Sequence, residues 1–208
     1  MNDPHVEALH YRVIVGNNVD YHGAHPLHQI TDEFEFRLEE DEAVFTMRTH
    51  YSTAIEARAA VEPYLRSWEI LIGLEHDPDD LRLAYDHPEI IDRSPPETDE
   101  HIINLRAHLS SHVVVSEHVV LHVSRGEYPS LPNGFSASPD AETMYLRYKS
   151  YRNNRETLTS MAYMCLTVLD ASAGGRKAAA QQYSIDIEVL RTLGRLSSTK
   201  GGREEVRK

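Results

Sequence analysis

Hydrophobic and polar residues alternate in several short segments before residue 138, as in Tyr11, Val13 and Val15 against Arg12 and Ile14. This period of two is typical of strands that bury one face. The predicted strands cover residues 11–15, 34–38, 44–49, 81–85, 103–109 and 113–123. Between the hairpin at 34–49 and the strand at 81, residues 53–72 instead repeat their apolar positions every three or four residues. Thr53 and Glu56 form a capping box at the start of this segment, which is therefore predicted to be a helix.

After residue 138 the apolar spacing is helical throughout. Ser138, Pro139 and Asp140 form a strong helix start, because they supply a side-chain cap, a proline at the first helical position and an early acid. The spacing predicts one long helix to about residue 170, ended by two glycines at 174 and 175. Two short helices are predicted at residues 176–183 and 186–196. The fold class is therefore predicted as α+β, with an antiparallel sheet and one long helix followed by a C-terminal helical bundle.

Charge and histidine divide the chain at the same place. Residues 1–137 carry 9 Lys/Arg and 25 Asp/Glu, a balance of −16, whereas residues 138–208 carry 12 and 8, a balance of +4. All 13 histidines lie between His5 and His122. The interval 126–138 is rich in proline and glycine and is the predicted linker. We therefore expect an acidic, strand-rich domain over 1–137 and a basic, helical domain over 138–208.

Composition narrows the class of protein. The apolar runs are much shorter than the roughly 20 residues that a membrane-spanning helix needs, and the first residues lack the order of a signal peptide. The single cysteine, Cys165, cannot close an intramolecular disulfide. Phosphate-binding loops, dinucleotide motifs and nucleophile elbows are absent. These features predict a cytoplasmic protein with no membrane contact.

Histidine is the residue type with the clearest potential to bind a metal. His22, His25 and His28 share one predicted loop, but their spacing matches neither structural zinc sites nor helical catalytic sites. A second group falls on even positions, opposite the apolar odd positions, and is expected on a solvent-facing strand surface. It consists of His108, His112, His118 and His122. We expect no metal and no cofactor.

The predicted long helix contains an arginine, Arg155, on the stripe that its periodicity assigns to the buried face. A buried arginine needs a partner. The surrounding cationic, aromatic and polar side chains suit an anionic group such as a phosphate or a carboxylate. The cluster consists of Arg147, Tyr148, Tyr151, Arg152, Asn154 and Arg155. The alternative is that Arg155 pairs with an acidic residue across the domain junction.

Two resemblances cover the helical part. The long capped helix carrying Arg152 and Asn153, followed by short helices, resembles the bundle of HEPN-type proteins over residues 138–196. Active members of that family cut RNA with an arginine, a polar residue and a histidine that is separated from the arginine by four to six residues. Here residues 157–159 are Thr, Leu and Thr, and the segment has no histidine. The resemblance therefore implies a non-cleaving binding or scaffolding protein more readily than a ribonuclease.

The second resemblance is to a helix-turn-helix, with the second short helix in the recognition position. Ser184 stands where that family commonly has glycine. In this resemblance Arg191 and Arg195 would face phosphates or bases. The apolar frame that carries it consists of Ala179, Ala180, Tyr183, Ile185, Val189 and Leu190.

Three classes of function follow from these patterns. The favoured one is a non-enzymatic binding or regulatory protein whose basic helical part engages nucleic acid or an acidic protein surface. One alternative is a HEPN-type or metal-dependent endoribonuclease that uses histidines of the first domain. The other is a structural subunit that forms homo-oligomers through its helices.

Overall fold

The computed structural model describes residues 3–17, 19–40, 42–94, 123–132 and 134–199. The strands predicted at 103–109 and over most of 113–123, together with the even-numbered histidines in them, lie outside the described residues. The described strands are β1 (Pro4–Val15), β2 (Val19–Asp20), β3 (Leu27–Ile30), β4 (Phe34–Glu39), β5 (Glu42–Met47), β6 (Leu81–Asp92) and β7 (Val123–Ser124). The described helices are α1 (Ala54–Glu75), α2 (Pro139–Arg152), α3 (Leu158–Ala173), α4 (Arg176–Gln182) and α5 (Ile187–Thr199). The α+β class is confirmed.

The chain divides by packing into two compact units. The first takes its described residues from Met1–Val61 and Leu83–Tyr128, and the second from Glu62–Arg82 and Pro129–Lys208. Packing thus groups the later turns of α1, and the acidic turn at residues 77–80 that follows them, with the C-terminal helices. The charge pattern instead predicts a division at residue 138. The packing division matters for function because it places carboxylates and basic helices in one unit.

The first unit is built on a five-stranded antiparallel sheet in the order β3-β4-β5-β1-β6. Leu9, Phe45 and Phe36 are register partners on neighbouring strands, and all three are fully buried. The rings of Phe36 and Phe45 stack at 4.6 Å. Burying each such side chain stabilises the fold by roughly 1.5–3 kcal/mol. The predicted β4–β5 hairpin is confirmed, and its alternation defines the core face.

Two strands are longer than their alternation predicts. β1 begins at Pro4 rather than residue 11, and β6 continues to Asp92 through a charged segment predicted to be a loop from residue 90. β6 is an edge strand, where Pro88 and exposed charges are tolerated because one side of the backbone faces no partner strand in the described sheet. Pairing with its neighbour β1 in the sheet, rather than local sequence, therefore extends the strand.

Helix α1 begins at its predicted capping box. The backbone N–H of Glu56 donates to Thr53 Oγ1 at 3.3 Å, and the N–H of Thr53 donates to Glu56 Oε2 at 3.2 Å. Farther along, Trp68 is fully buried and its Nε1 donates to the carbonyl of Pro129 at 2.8 Å. This contact anchors the segment before α2 to α1 within the second unit.

The single long helix predicted from residue 138 to about 170 is wrong, because the chain forms α2 and α3 instead. Asn153 ends α2, and Asn154 adopts a left-handed φ of 55° that interrupts the helix. Thr157 then caps α3 by accepting from the N–H of Ser160 at 3.2 Å. The apolar spacing continues across the break because both helices bury a stripe. The other helix signals are confirmed, including the Ser138 cap, the left-handed Gly174 and both short helices.

Candidate nucleic-acid interface

The last three helices share a small hydrophobic core. Leu166 of α3, Ala179 of α4 and Leu190 of α5 are each at most 3% exposed and form its centre. Around them pack the partly buried side chains of Leu169, Ala173, Ala180, Ile185 and Leu193. Four of these eight core residues belong to the apolar frame that the helix-turn-helix resemblance uses, so the frame does bring α4 and α5 together. Tyr183 and Val189 are exceptions, since they are 37% and 58% exposed.

The turn between α4 and α5 is tight and well bonded. Ser184 has a φ of 54°, in the left-handed region that residues other than glycine and asparagine rarely occupy. The N–H of Ile185 donates to the carbonyl of Ala180 at 2.9 Å, which closes α4. Asp186 then caps α5, because its Oδ1 accepts from the N–H of Glu188 at 2.8 Å. Ser184 therefore adopts the conformation that glycine commonly supplies at this position of a helix-turn-helix.

Close approach of the helices depends on Gly194. A Cβ atom at this position would lie 2.7 Å from Arg176 Nη1 and 3.1 Å from Leu166 Cδ2. Arg176 in turn donates from Nη2 to Asp170 Oδ2 at 2.9 Å, which ties the start of α4 to α3. Arg176 thus serves the packing of the three helices, and the arginines of α5 remain as candidates for binding.

The exposed face of α5 carries those candidates. Glu188, Arg191, Thr192 and Arg195 recur at three and four residue intervals and are all exposed. Arg191 forms an ion pair with Glu188 one turn earlier. Because this pair is more than half exposed on both sides, it contributes little to stability, and Arg191 can exchange Glu188 for an external anion at small cost. The planar guanidinium groups suit phosphate oxygens.

The predicted cluster on α2 already has anionic partners in its own unit. Arg152 donates from Nη1 to the hydroxyl of Tyr148 at 3.2 Å and forms an ion pair with Asp77. Lys149 Nζ lies 3.3 Å from Asp79 Oδ1. Arg147 Nη1 lies 3.8 Å from Glu156 Oε1. The anion that the sequence led us to expect is thus supplied by the chain's own carboxylates.

Asp79 shows how the acidic turn responds to these cations. Partial burial is the largest influence on this carboxyl group and opposes its ionisation. Hydrogen bonds from Asn153 and Lys149, with the charges of Lys149 and Arg82, outweigh burial and lower the pKa of Asp79. Asp79 therefore stays ionised and holds α2 through Lys149, which favours a structural role for the α2 cations.

Arg155 does not lie on a buried helix face. It is exposed in the loop between α2 and α3, where its backbone N–H donates to the carbonyl of Ser150 at 2.8 Å. Asn154 is exposed beside it, and Tyr151 is half-buried at the end of α2. The expectation of a buried Arg155 is therefore wrong, because the helix that would have buried it ends before reaching it.

This placement predicts a small effect for Arg155→Ala. We expect its free energy of unfolding to stay within about 0.5 kcal/mol of the parent, since an exposed loop side chain is removed. Arg152→Ala should cost more, up to about 1 kcal/mol, because it breaks a partly exposed ion pair. Urea unfolding followed by circular dichroism measures both. A loss of roughly 3 kcal/mol in Arg155→Ala, as expected for a broken buried pair, would contradict the exposed placement.

The histidines of the predicted loop do not converge. His22 and His25 are exposed, and His28 on β3 instead lies 2.7 Å from Glu35 Oε1 through its Nε2. Within the described ranges, no three or more His, Cys, Asp or Glu side chains are arranged to hold a metal ion. His28 therefore takes part in a polar pair across two strands.

Sequence reasoning missed two sets of residues. Asp77 and Asp79, in the turn after α1, were not among the predicted site residues, although the spacing of Lys149 and Arg152 by three residues would present two cations to such a turn. A histidine pair on neighbouring strands, His10 and His87, was also missed, because 77 residues separate them in the chain. No local pattern signals that contact.

Comparison of the chain with protein-family models, curated proteins and solved structures gives no significant match. Among the described helices, none combines the length and the apolar character that crossing a membrane requires. The function must therefore be inferred from the geometry of the residues themselves.

Proposed function

We propose that this protein is a non-enzymatic binding or regulatory protein that engages double-stranded DNA through the exposed face of α5. The observation that carries the proposal is the left-handed Ser184 turn, which joins α4 to a helix bearing Arg191 and Arg195 on its solvent side. A helix presented after such a turn has the arrangement that enters a major groove. The α2 cations suit this interface less, because Asp77 and Asp79, which lie outside α2, hold them and because Lys149 and Arg152 are less exposed than Arg191.

The charges indicate that such binding is weak. Two arginines on α5 can neutralise few phosphates, and Asp186 and Glu188 at the start of the helix oppose the approach of an anion. The balance of −16 over residues 1–137 adds repulsion. Screening reduces that repulsion over roughly 8 Å at physiological salt, so local contacts dominate. Tight binding of DNA by α5 therefore requires low salt or further contacts elsewhere on the protein.

Fluorescence anisotropy with a labelled DNA duplex tests the proposal. We expect the full chain to bind at about 50 mM salt and to lose most of its affinity by about 200 mM, because binding releases counterions from the phosphates. Affinity that does not change with salt, or an absence of binding at low salt, would refute the DNA interface. Single-stranded RNA of equal length serves as the comparison, and preference for RNA would favour the HEPN-like alternative.

The same RNA distinguishes binding from catalysis. We expect labelled RNA to remain intact after incubation, since residues 153–199 contain no histidine that could act as the base after Arg152. Cleavage that disappears in Arg152→Ala would instead support the endoribonuclease alternative, in which a histidine from the first unit completes the site. Arg155→Ala, which removes an equal charge from the neighbouring loop, is the matched control.

A further inference from the structure

Three segments of the first unit meet at one junction. The N–H of Arg93, just after β6, donates to the carbonyl of Asp3 at 2.9 Å, and the N–H of Asp3 donates to Asp92 Oδ1 at 3.1 Å. The N–H of Val6 in β1 donates at 2.9 Å to the carbonyl of Tyr51, which lies between β5 and α1. These hydrogen bonds join the start of β1 to the end of β6 and to the chain after β5.

His5 lies at this junction and is fully buried. Among the described residues, neither of its ring nitrogens has a hydrogen-bond partner. The ring stacks on that of His50, with centroids 5.2 Å apart and planes 13° from parallel. Most buried polar side chains form hydrogen bonds, so the unpartnered imidazole of His5 is an exception.

The charged groups around His5 come from all three segments. Glu7 Oε2 on β1 lies 3.6 Å from His5 Nε2, just beyond hydrogen-bond distance. Asp3 Oδ1 lies 3.9 Å from Nε2 of His50, the exposed ring of the stack. Arg93 adds a positive charge that opposes protonation of His5. The described surroundings thus offer a protonated His5 no acceptor within bonding distance.

These surroundings favour the neutral form of His5. Burial is the largest influence on the ring and lowers its pKa, and the charges of Arg93 and His50 add to this effect. Glu7 and Asp3 act in the opposite direction but do not outweigh it. In the unfolded chain the ring is hydrated and has its ordinary pKa of 6.5. The unfolded segment therefore binds a proton more readily than the folded one.

We propose that His5 is an acid-sensitive latch, which holds the start of β1 against the end of β6 while its ring is neutral and releases it when the ring takes up a proton. Protonation adds a charge and a second N–H donor to a buried ring, and opening the junction lets water solvate both. The junction is therefore fully stable above about pH 6.5 and loses stability as the pH falls toward the lowered pKa of the folded state.

We expect the release to be local. Strand ends open at a lower free energy than strand centres that are packed in a core. Leu9, Phe36 and Phe45 hold the middle of the sheet by apolar burial, which does not depend on pH. Acid should therefore open the junction before it unfolds the sheet.

Amide hydrogen exchange followed by NMR at about pH 7 and about pH 5 tests the latch, with each rate divided by the intrinsic rate at the same pH. We expect protection of the Val6 and Arg93 amides to fall roughly tenfold at the acidic pH, because the open junction binds a proton that the closed one excludes. The amide of Arg48, which donates to the carbonyl of Glu33 at 2.8 Å beside the β4–β5 hairpin, is the internal reference. Its protection should change much less.

Two variants assign the response to His5. His5→Phe keeps an aromatic ring against His50 but cannot bind a proton, so protection of the Val6 and Arg93 amides should be the same at both pH values. His22→Gln is the matched control, because it removes a histidine that is exposed in a loop of the same unit. This control should keep the response of the parent.

Three results would overturn the latch. A loss of protection that persists in His5→Phe would assign the response to another group. An equal loss at Arg48 would show that acid unfolds the whole unit. Protection of Val6 and Arg93 that stays constant or rises in acid would show that the folded junction accepts the proton, for example through Glu7. If His5→Phe does not fold, His5→Gln, which also does not titrate, replaces it under the same criteria.

Discussion

Trp68→Ala is expected to lower the free energy of unfolding by about 3–5 kcal/mol, the largest stability change that we predict for this protein. Trp68 is fully buried in α1, so its removal leaves a cavity that the surrounding side chains can only partly fill. It also leaves the carbonyl of Pro129 without the donor at 2.8 Å that now satisfies it. Because Trp68 is the single tryptophan, unfolding should be followed by far-ultraviolet circular dichroism rather than fluorescence.

Two further variants separate the causes of that loss. Trp68→Phe keeps most of the buried surface but removes the donor, so we expect a cost of about 1–3 kcal/mol. Leu74→Ala removes an apolar side chain from the same helix at a position that is 58% exposed, and we expect a change within about 0.5 kcal/mol. An effect of Leu74→Ala as large as that of Trp68→Ala would mean that α1 is not packed as described.

Much of the fold could be predicted because its signals are local. The period-two alternation in β4 and β5 follows from one face being buried, and each cap places its donor and acceptor within three residues of each other. Ser138, Thr53 and Gly174 each mark a helix end by chemistry that neighbouring residues complete. Such signals need no knowledge of the tertiary structure, which explains why these elements were found.

The break between α2 and α3 has a weaker signal. Asn153 and Asn154 are residues that end helices less often than glycine does, and the apolar spacing continues on both sides of them. Thr157 was therefore assigned to a helix interior, although it is the cap of α3. The error matters for function, because it placed Arg155 on a buried face and so made it the centre of the proposed cluster.

The candidate site also has a part that local sequence predicts and a part that only the fold shows. Arg191 and Arg195 follow from the helical frame of α5, and the structure finds both exposed on one face. The partner of Arg152, Asp77, lies 75 residues away, so only the fold could show that this arginine is already paired. Contacts between distant residues decide which cations are available, and single-sequence patterns do not contain that information.

Replacing both Arg191 and Arg195 by alanine is expected to weaken binding to the DNA duplex and to reduce its dependence on salt. If each arginine neutralises one phosphate, the slope of log affinity against log salt should fall in magnitude by about 1.8. The loss should be similar for unrelated duplex sequences, because phosphate contacts carry no base information. Titrations of the parent and the double variant at several salt concentrations give both quantities.

The matched control is the double variant Arg152→Ala and Arg155→Ala, which removes the same charge from the end of α2 and the loop after it. If α5 is the interface, this control should keep the parent's salt slope, since only the general attraction of the basic helices changes. If instead the salt slope falls in this control and stays at the parent's value in the α5 variant, the interface lies on α2. Binding would then require the duplex to displace Asp77 from Arg152, and Asp77→Asn should strengthen it. That combination of results would contradict the proposed role of α5, but the protein would still be one that binds nucleic acid.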